Sequence, residues 1–206
     1  MTSPDLILHG LDLSGHSHRV ELLLRMLGLP YRFVPASASV RNSPEFRALN
    51  PLGQIPVLQD GDLVLSDSNA IMVYLVRRYA PGSAWLPEEP AAAAEVQRWL
   101  SIAAGEVRYG PATARAAVLW NMPGDPAWAR AIAERLFAFM EGHLAERAFL
   151  AADHPTLADL ACCSYVAHAP EGGVALDPYP AVRAWLARVA ALPGFSPMPQ
   201  SMPRPA

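Results

Sequence analysis

Three short stretches carry residue types whose spacing suits one chemistry. Leu13-Ser14-Gly15-His16-Ser17-His18 follows an apolar strand and opens a helix, so two hydroxyls and two imidazoles gather at a helix start. Ser66-Asp67-Ser68 opens another helix in the same way. The free N–H groups and positive dipole end of such a start hold anions, and a serine hydroxyl adds a donor. Between the two lies Ile55-Pro56, near the head of a strand where proline has no N–H for a ladder. A cis bond there turns the N–H and C=O of Ile55 outward, as an edge for an extended peptide. Asp67 can take an ammonium. The ligand these groups describe has a backbone-like middle, a carboxylate and an amine: a small peptide. The plain alternative is that Ser14 or Ser17 only caps its helix. His9, His16 and His18 do not read as a metal site, because they straddle a strand and a loop with no carboxylate or cysteine among them.

The elements that must position these residues alternate over the first 80 positions. Leu6-Ile7-Leu8-His9 is a short apolar strand. Ser14 to Gly28 reads as a helix, with Val20, Leu23, Leu24 and Leu27 at i, i+3, i+4 and i+7. Gly28 and Pro30 stop it. Tyr31 to Val34 is a second strand, and Ser43-Pro44-Glu45 starts a short helix. Ile55 to Gln59 and Leu63 to Leu65 form a hairpin about Asp60-Gly61, a pair that tolerates positive φ. A helix from Asp67 to Tyr79 completes a β-α-β-α-β-β-α order, with the first two strands parallel and the hairpin an antiparallel edge.

Residues 81–90, rich in proline and glycine, read as a linker. Residues 91–206 read as an all-helical domain with an irregular tail after Leu192. Val96, Leu100, Ala103 and Val107 suit one helix face; Ile132, Leu136, Phe139, Met140 and His143 suit another. Thr156-Leu157-Ala158-Asp159 is a capping box, and Val182, Trp185, Leu186 and Val189 mark a last amphipathic helix. The chain of 206 residues is 52% hydrophobic and 17% charged, so it can bury a sizeable core; its net charge of -3 gives no reason to expect a nucleic-acid partner. All 16 basic residues are arginine. The adjacent Cys162 and Cys163 suit a helix core better than a disulfide or redox motif. The first residues lack a basic stretch followed by an apolar run, and no apolar run reaches the roughly 20 residues of a membrane span. A cytoplasmic protein with no membrane partner is expected.

The order of elements, together with "NPLGQIPVL", "LSDSNAIMVYL" and "HPTLADLACCSYV", resembles the glutathione S-transferase family from Leu6 to about Phe195. The resemblance implies an α/β thioredoxin-like N-terminal domain over residues 1–80, an all-α C-terminal domain over residues 91–206, and a homodimer. It implies glutathione as co-substrate, no metal, and a small hydrophobic electrophile as second substrate. It makes Pro56 the cis-proline and Ile55 the residue pairing with the cysteinyl backbone of glutathione. Asp67 and Ser68 fall to the γ-glutamyl end, although relatives more often carry Glu at the first of the two. Arg41 and Gln54 fall to the glycine carboxylate. "LSGHSHRVELLL" resembles the Ser-Gly-Asn-x-x-[Arg/Lys]-Val opening of many bacterial transferases. That makes Ser14 the thiol activator, with His16 where many relatives have Asn and with Ser17 as the alternative hydroxyl. Arg108, Tyr109, Arg115 and Trp120 fall on helices that face the second-substrate pocket. A free thiol has a pKa of about 8.5, and lowering it by ~2 units takes ~2.7 kcal/mol, within reach of one hydrogen bond and a helix dipole. A glutathione-dependent peroxidase or disulfide reductase, and a non-catalytic glutathione-binding protein, are the other readings.

Overall fold

The computed structural model describes residues 5–122 and 124–201. The chain divides into two compact units. The first runs to Ser83 and takes in Pro193–Met198; the second runs from Ala84 to Leu192 and takes in the described residues from Pro199.

The first unit holds β1 (Leu6–Gly10), α1 (Gly15–Met26), β2 (Tyr31–Pro35), α2 (Ala38–Arg41), α3 (Pro44–Leu49), β3 (Val57–Asp60), β4 (Leu63–Ser66) and α4 (Ser68–Tyr79). The sheet order is β2-β1-β3-β4, with β1 parallel to β2 and both hairpin pairings antiparallel. This is the topology that the alternation of apolar runs and crossover helix required. Leu6 and Leu8 of β1, Val20 and Leu22 to Leu24 of α1, Val57 and Leu58 of β3, and Ile71, Met72 and Leu75 of α4 are the buried core. β3 begins at Val57, two residues later than the hydrophobic run suggested, because Pro56 has no N–H to give. The Ile55–Pro56 bond is cis, as expected, and Gly61 turns the hairpin at φ 56°. The four-residue α2, capped by Ser37, was not foreseen. Residues 193–198, expected in the helical domain, pack on this unit instead: Phe195 meets the His18 ring edge-on, and His18 Nε2 bonds the Ser196 carbonyl at 2.7 Å.

The second unit holds α5 (Pro90–Ile102), a π-helical stretch (Ala103–Ala112), α6 (Thr113–Trp120), α7 (Pro126–Leu144), α8 (Leu157–Ala167), a 3-10 turn (Ala169–Gly172) and α9 (Pro180–Ala190). Val96, Leu100, Ala103 and Val107 are all buried, so the expected face exists and continues through the π stretch. Pro111 lies inside that stretch, where it has no N–H to give an α-helical ladder; the wider winding accommodates it. Gly110 lets the stretch approach α7 closely, since a Cβ there would stand 2.9 Å from the Ala133 nitrogen. The capping box is formed, and the fully buried Asp159 also accepts from Leu150 N–H (3.0 Å) and Trp185 Nε1 (2.8 Å). Cys162 and Cys163 are buried thiols, and among the described residues they form no disulfide. Among the described residues no helix is long and apolar enough to cross a membrane. Of the irregular tail, residues 202–206 lie outside the described ones.

Candidate functional site

Ser14 and Ser17 are three residues apart and chemically alike, but the fold separates them. Ser14 is the N-cap of α1, half-buried, with Oγ accepting from the Ser17 N–H at 3.3 Å. The cap uses a lone pair and leaves the hydroxyl hydrogen to donate. Ser17 is fully buried, and its Oγ accepts from the Leu11 N–H at 3.2 Å. It also presses on Gly10, where a Cβ would come within 2.7 Å of that oxygen. Ser17 therefore closes the turn between β1 and α1, and Ser14 presents an accessible donor at the positive end of a 12-residue helix.

The start of α4 comes to the same place. Ser68 Oγ lies 3.5 Å from His16 Nδ1 and 3.5 Å from Arg19 Nη1, and Arg19 donates to Asn69 Oδ1 at 3.0 Å. Two helix N-termini thus converge on the first turn of α1. Asp67 caps this second helix with one carboxylate oxygen. Its Oδ1 accepts from the N–H groups of Asn69 (2.9 Å) and Ala70 (3.0 Å), and its carbonyl takes Ile71. Of the four N–H groups that a helix start leaves unpaired, this cap takes those of Asn69 and Ala70 and leaves those of Asp67 and Ser68. Asp67 stands at φ 72°, a left-handed conformation rare for a residue with a Cβ, and such strain concentrates at functional sites. Ser68 itself is buried, with 3% of its surface exposed.

The loop before β3 is built on Asn50, which is 4% exposed. Its Nδ2 donates to the Gln54 carbonyl at 2.9 Å, and its Oδ1 accepts from Leu52 N–H at 3.2 Å. Asn50 thereby fixes Gln54 and the entry to Ile55, which packs on Ala36, Phe46 and Val57 while its backbone stays outside the ladder. Arg41 ends α2 with its carbonyl 3.1 Å from where a Gly53 Cβ would be. Its Nε is buried and without a partner among the described residues. Sequence reading missed Asn50 and Arg19 as positioning groups, although both sit inside quoted motifs; the Asn-Pro pair was a turn signal that pointed to the former.

The three N-terminal histidines go three ways: His9 to Gln59 Oε1 (2.7 Å), His16 to Ser68, and His18 to Ser196. Among the described residues no three His, Cys, Asp or Glu could hold a metal. In the second unit, Tyr109 and Trp120 are about half exposed, each with an arginine over its ring: Arg108 at 5.8 Å and Arg115 at 5.3 Å. Arg115 belongs to the interior. It is 1% exposed, donates to Glu171 Oε2 at 2.6 Å and to Ser201 Oγ at 2.9 Å. Burial pushes the Glu171 carboxyl up, but hydrogen bonds from Ser201, Arg115 and His168 outweigh it and hold the group at about 2.

Residues 8–84 match the family described as "Glutathione S-transferase, N-terminal domain", and residues 126–193 match "Glutathione S-transferase, C-terminal domain". Glutathione S-transferase 3 of Zea mays is 35% identical, over 96% of this chain and 95% of its own. A glutathione S-transferase from Xanthobacter autotrophicus superposes with a TM-score of 0.87 at 32% identity, over 95% of this chain and 97% of its own. A theta-class enzyme from Xanthomonas axonopodis pv. citri, solved with glutathione bound, does so with a TM-score of 0.83 at 28% identity, over 93% and 95%. With the mixed four-stranded sheet, the helical second unit and both halves of the sequence in agreement, the chain belongs to the glutathione S-transferase family.

Proposed function

We propose that this enzyme holds glutathione against the joined N-termini of α1 and α4, ionises its thiol at Ser14, and directs the sulfur to small hydrophobic electrophiles. The observation that carries the reading is the contrast between the two serines: Ser17 is buried in a turn, while Ser14 spends a lone pair on its cap and keeps a hydrogen for the sulfur. The remaining groups fit a tripeptide. The Ser68 N–H and hydroxyl suit the γ-glutamyl carboxylate, with Asp67 as cap and counter-charge for the amine. The backbone of Ile55 suits the cysteinyl unit. The buried, unpartnered Nε of Arg41, with Gln54 held by Asn50, suits the glycine carboxylate. His16 stands by Ser68 as a second polar contact. For the second substrate, Arg108, Tyr109 and Trp120 offer exposed apolar and cationic surface, which Arg115 supports from within.

The Ser14 hydroxyl and the α1 dipole act on the same sulfur, and both favour the anion that attacks. Parallel assays with a chloronitrobenzene, a hydroperoxide and a hydroxyethyl disulfide, each with glutathione, test the assignment. Turnover of the chloronitrobenzene, lost in Ser14→Ala, is expected. Activity confined to the hydroperoxide or the disulfide would replace conjugation with a redox function.

A further inference from the structure

Arg19 is a cation with 1% of its surface exposed, one turn into α1. Burying a charge is costly, and a tie between α1 and α4 for packing alone is met by an apolar side chain. Arg19 instead sends Nη1 to the first two side chains of α4: 3.0 Å to Asn69 Oδ1 and 3.5 Å to Ser68 Oγ. A guanidinium is always charged, carries five donors and has no acceptor. Toward Arg19, the Ser68 oxygen can only accept. Its hydrogen therefore points away from the core.

We propose that Arg19 is a positioning residue for glutathione: it fixes the Ser68 hydroxyl with its lone pair inward and its hydrogen directed at the ligand carboxylate. Asn69 clamps the guanidinium so that Nη1 stays behind Ser68 Oγ. The charge behind the oxygen also makes the hydroxyl a stronger donor to an anion. His16 Nδ1, 3.5 Å from the same oxygen, takes the hydrogen when no carboxylate is present. The inference rests on the assignment of Ser68 to the γ-glutamyl end.

A double-mutant cycle in glutathione affinity tests it, with KM, kcat and the thiol pKa of bound glutathione read alongside. Ser68→Ala is expected to weaken binding about tenfold, and Arg19→Lys, which keeps the charge but loses the fork, by about three- to tenfold. The double variant should be no weaker than Ser68→Ala alone, because Arg19 acts through that hydroxyl. KM should rise in each with kcat and thiol pKa little changed. If Arg19→Lys does not fold, Asn69→Ala releases the same clamp and enters the same cycle. Losses that multiply in the double variant would overturn the inference while leaving the Ser68 site standing. Unchanged affinity in Ser68→Ala alone would bring down the site and the inference together.

Discussion

Ser14 and Ser17 show how much burial decides when residue type does not. Ser17→Ala should remove the partner of the Leu11 N–H and cost stability, by about 1 kcal/mol in a urea titration, with the pKa of bound thiol unchanged. Ser14→Ala should cost turnover instead, by ~10- to 100-fold at neutral pH, since a hydrogen bond to a charged group is worth ~1.5–3 kcal/mol. His16→Ala is expected to disturb binding more than ionisation, because the ring sits beside Ser68. Loss of the thiolate's ultraviolet absorbance in His16→Ala but not in Ser14→Ala would reassign the activator. In sequence both serines are three residues apart at one helix start, so a cap and a thiol donor look alike. Only the approach of Gly10 and the Leu11 N–H, which the fold supplies, separates them.

At the scale of elements, what was legible is what is local. The Asp60-Gly61 hairpin, the stop at Gly28, the Ser43-Pro44 start and the Thr156 box each depend on residues within four of one another, and each is present. What was hidden depends on distant partners. The π winding before α6 reflects Pro111 and the fit of Gly110 on α7, and the burial of Arg115, expected on a helix facing the second-substrate pocket, depends on partners 56 and 86 residues away. Asp159 ties both kinds together. It belongs to a local box and also holds Leu150 and Trp185. Asp159→Ala leaves buried donors unpaired in three directions, and a loss of roughly 3–5 kcal/mol is expected in chemical denaturation, far above the ~1 kcal/mol of a cap alone. A loss no larger than that of Thr156→Ala would show that the long-range bonds add nothing.

Two expectations belong to the whole molecule. Glu171, faced by Arg115, His168 and Ser201, is held at about 2 against an ordinary 4.5. A carboxyl whose folded value is depressed stabilises the protein fully above its unfolded value, and that stabilisation is lost as pH falls through the folded one. The wild-type urea midpoint should therefore drop between about pH 4.5 and 2, and Glu171→Gln should be less stable at neutral pH and lack that drop. The second expectation is the homodimer implied by the family and by the apolar content of residues 69–107. A solution mass near twice 22.2 kDa supports it, and a mass near one chain across micromolar concentrations would refute it.

If the Ser14 hydroxyl and the dipole of α1 hold glutathione as the thiolate, the ionisation of the bound sulfur must depend on that hydroxyl. Titrating the ultraviolet thiolate absorbance of bound glutathione against pH, in wild type and in Ser14→Ala, measures this most directly. The wild-type complex should ionise about two units below the ordinary value of about 8.5, and Ser14→Ala should move that midpoint up by roughly one to two units while glutathione remains bound. The same midpoint in both proteins would take Ser14 out of the mechanism.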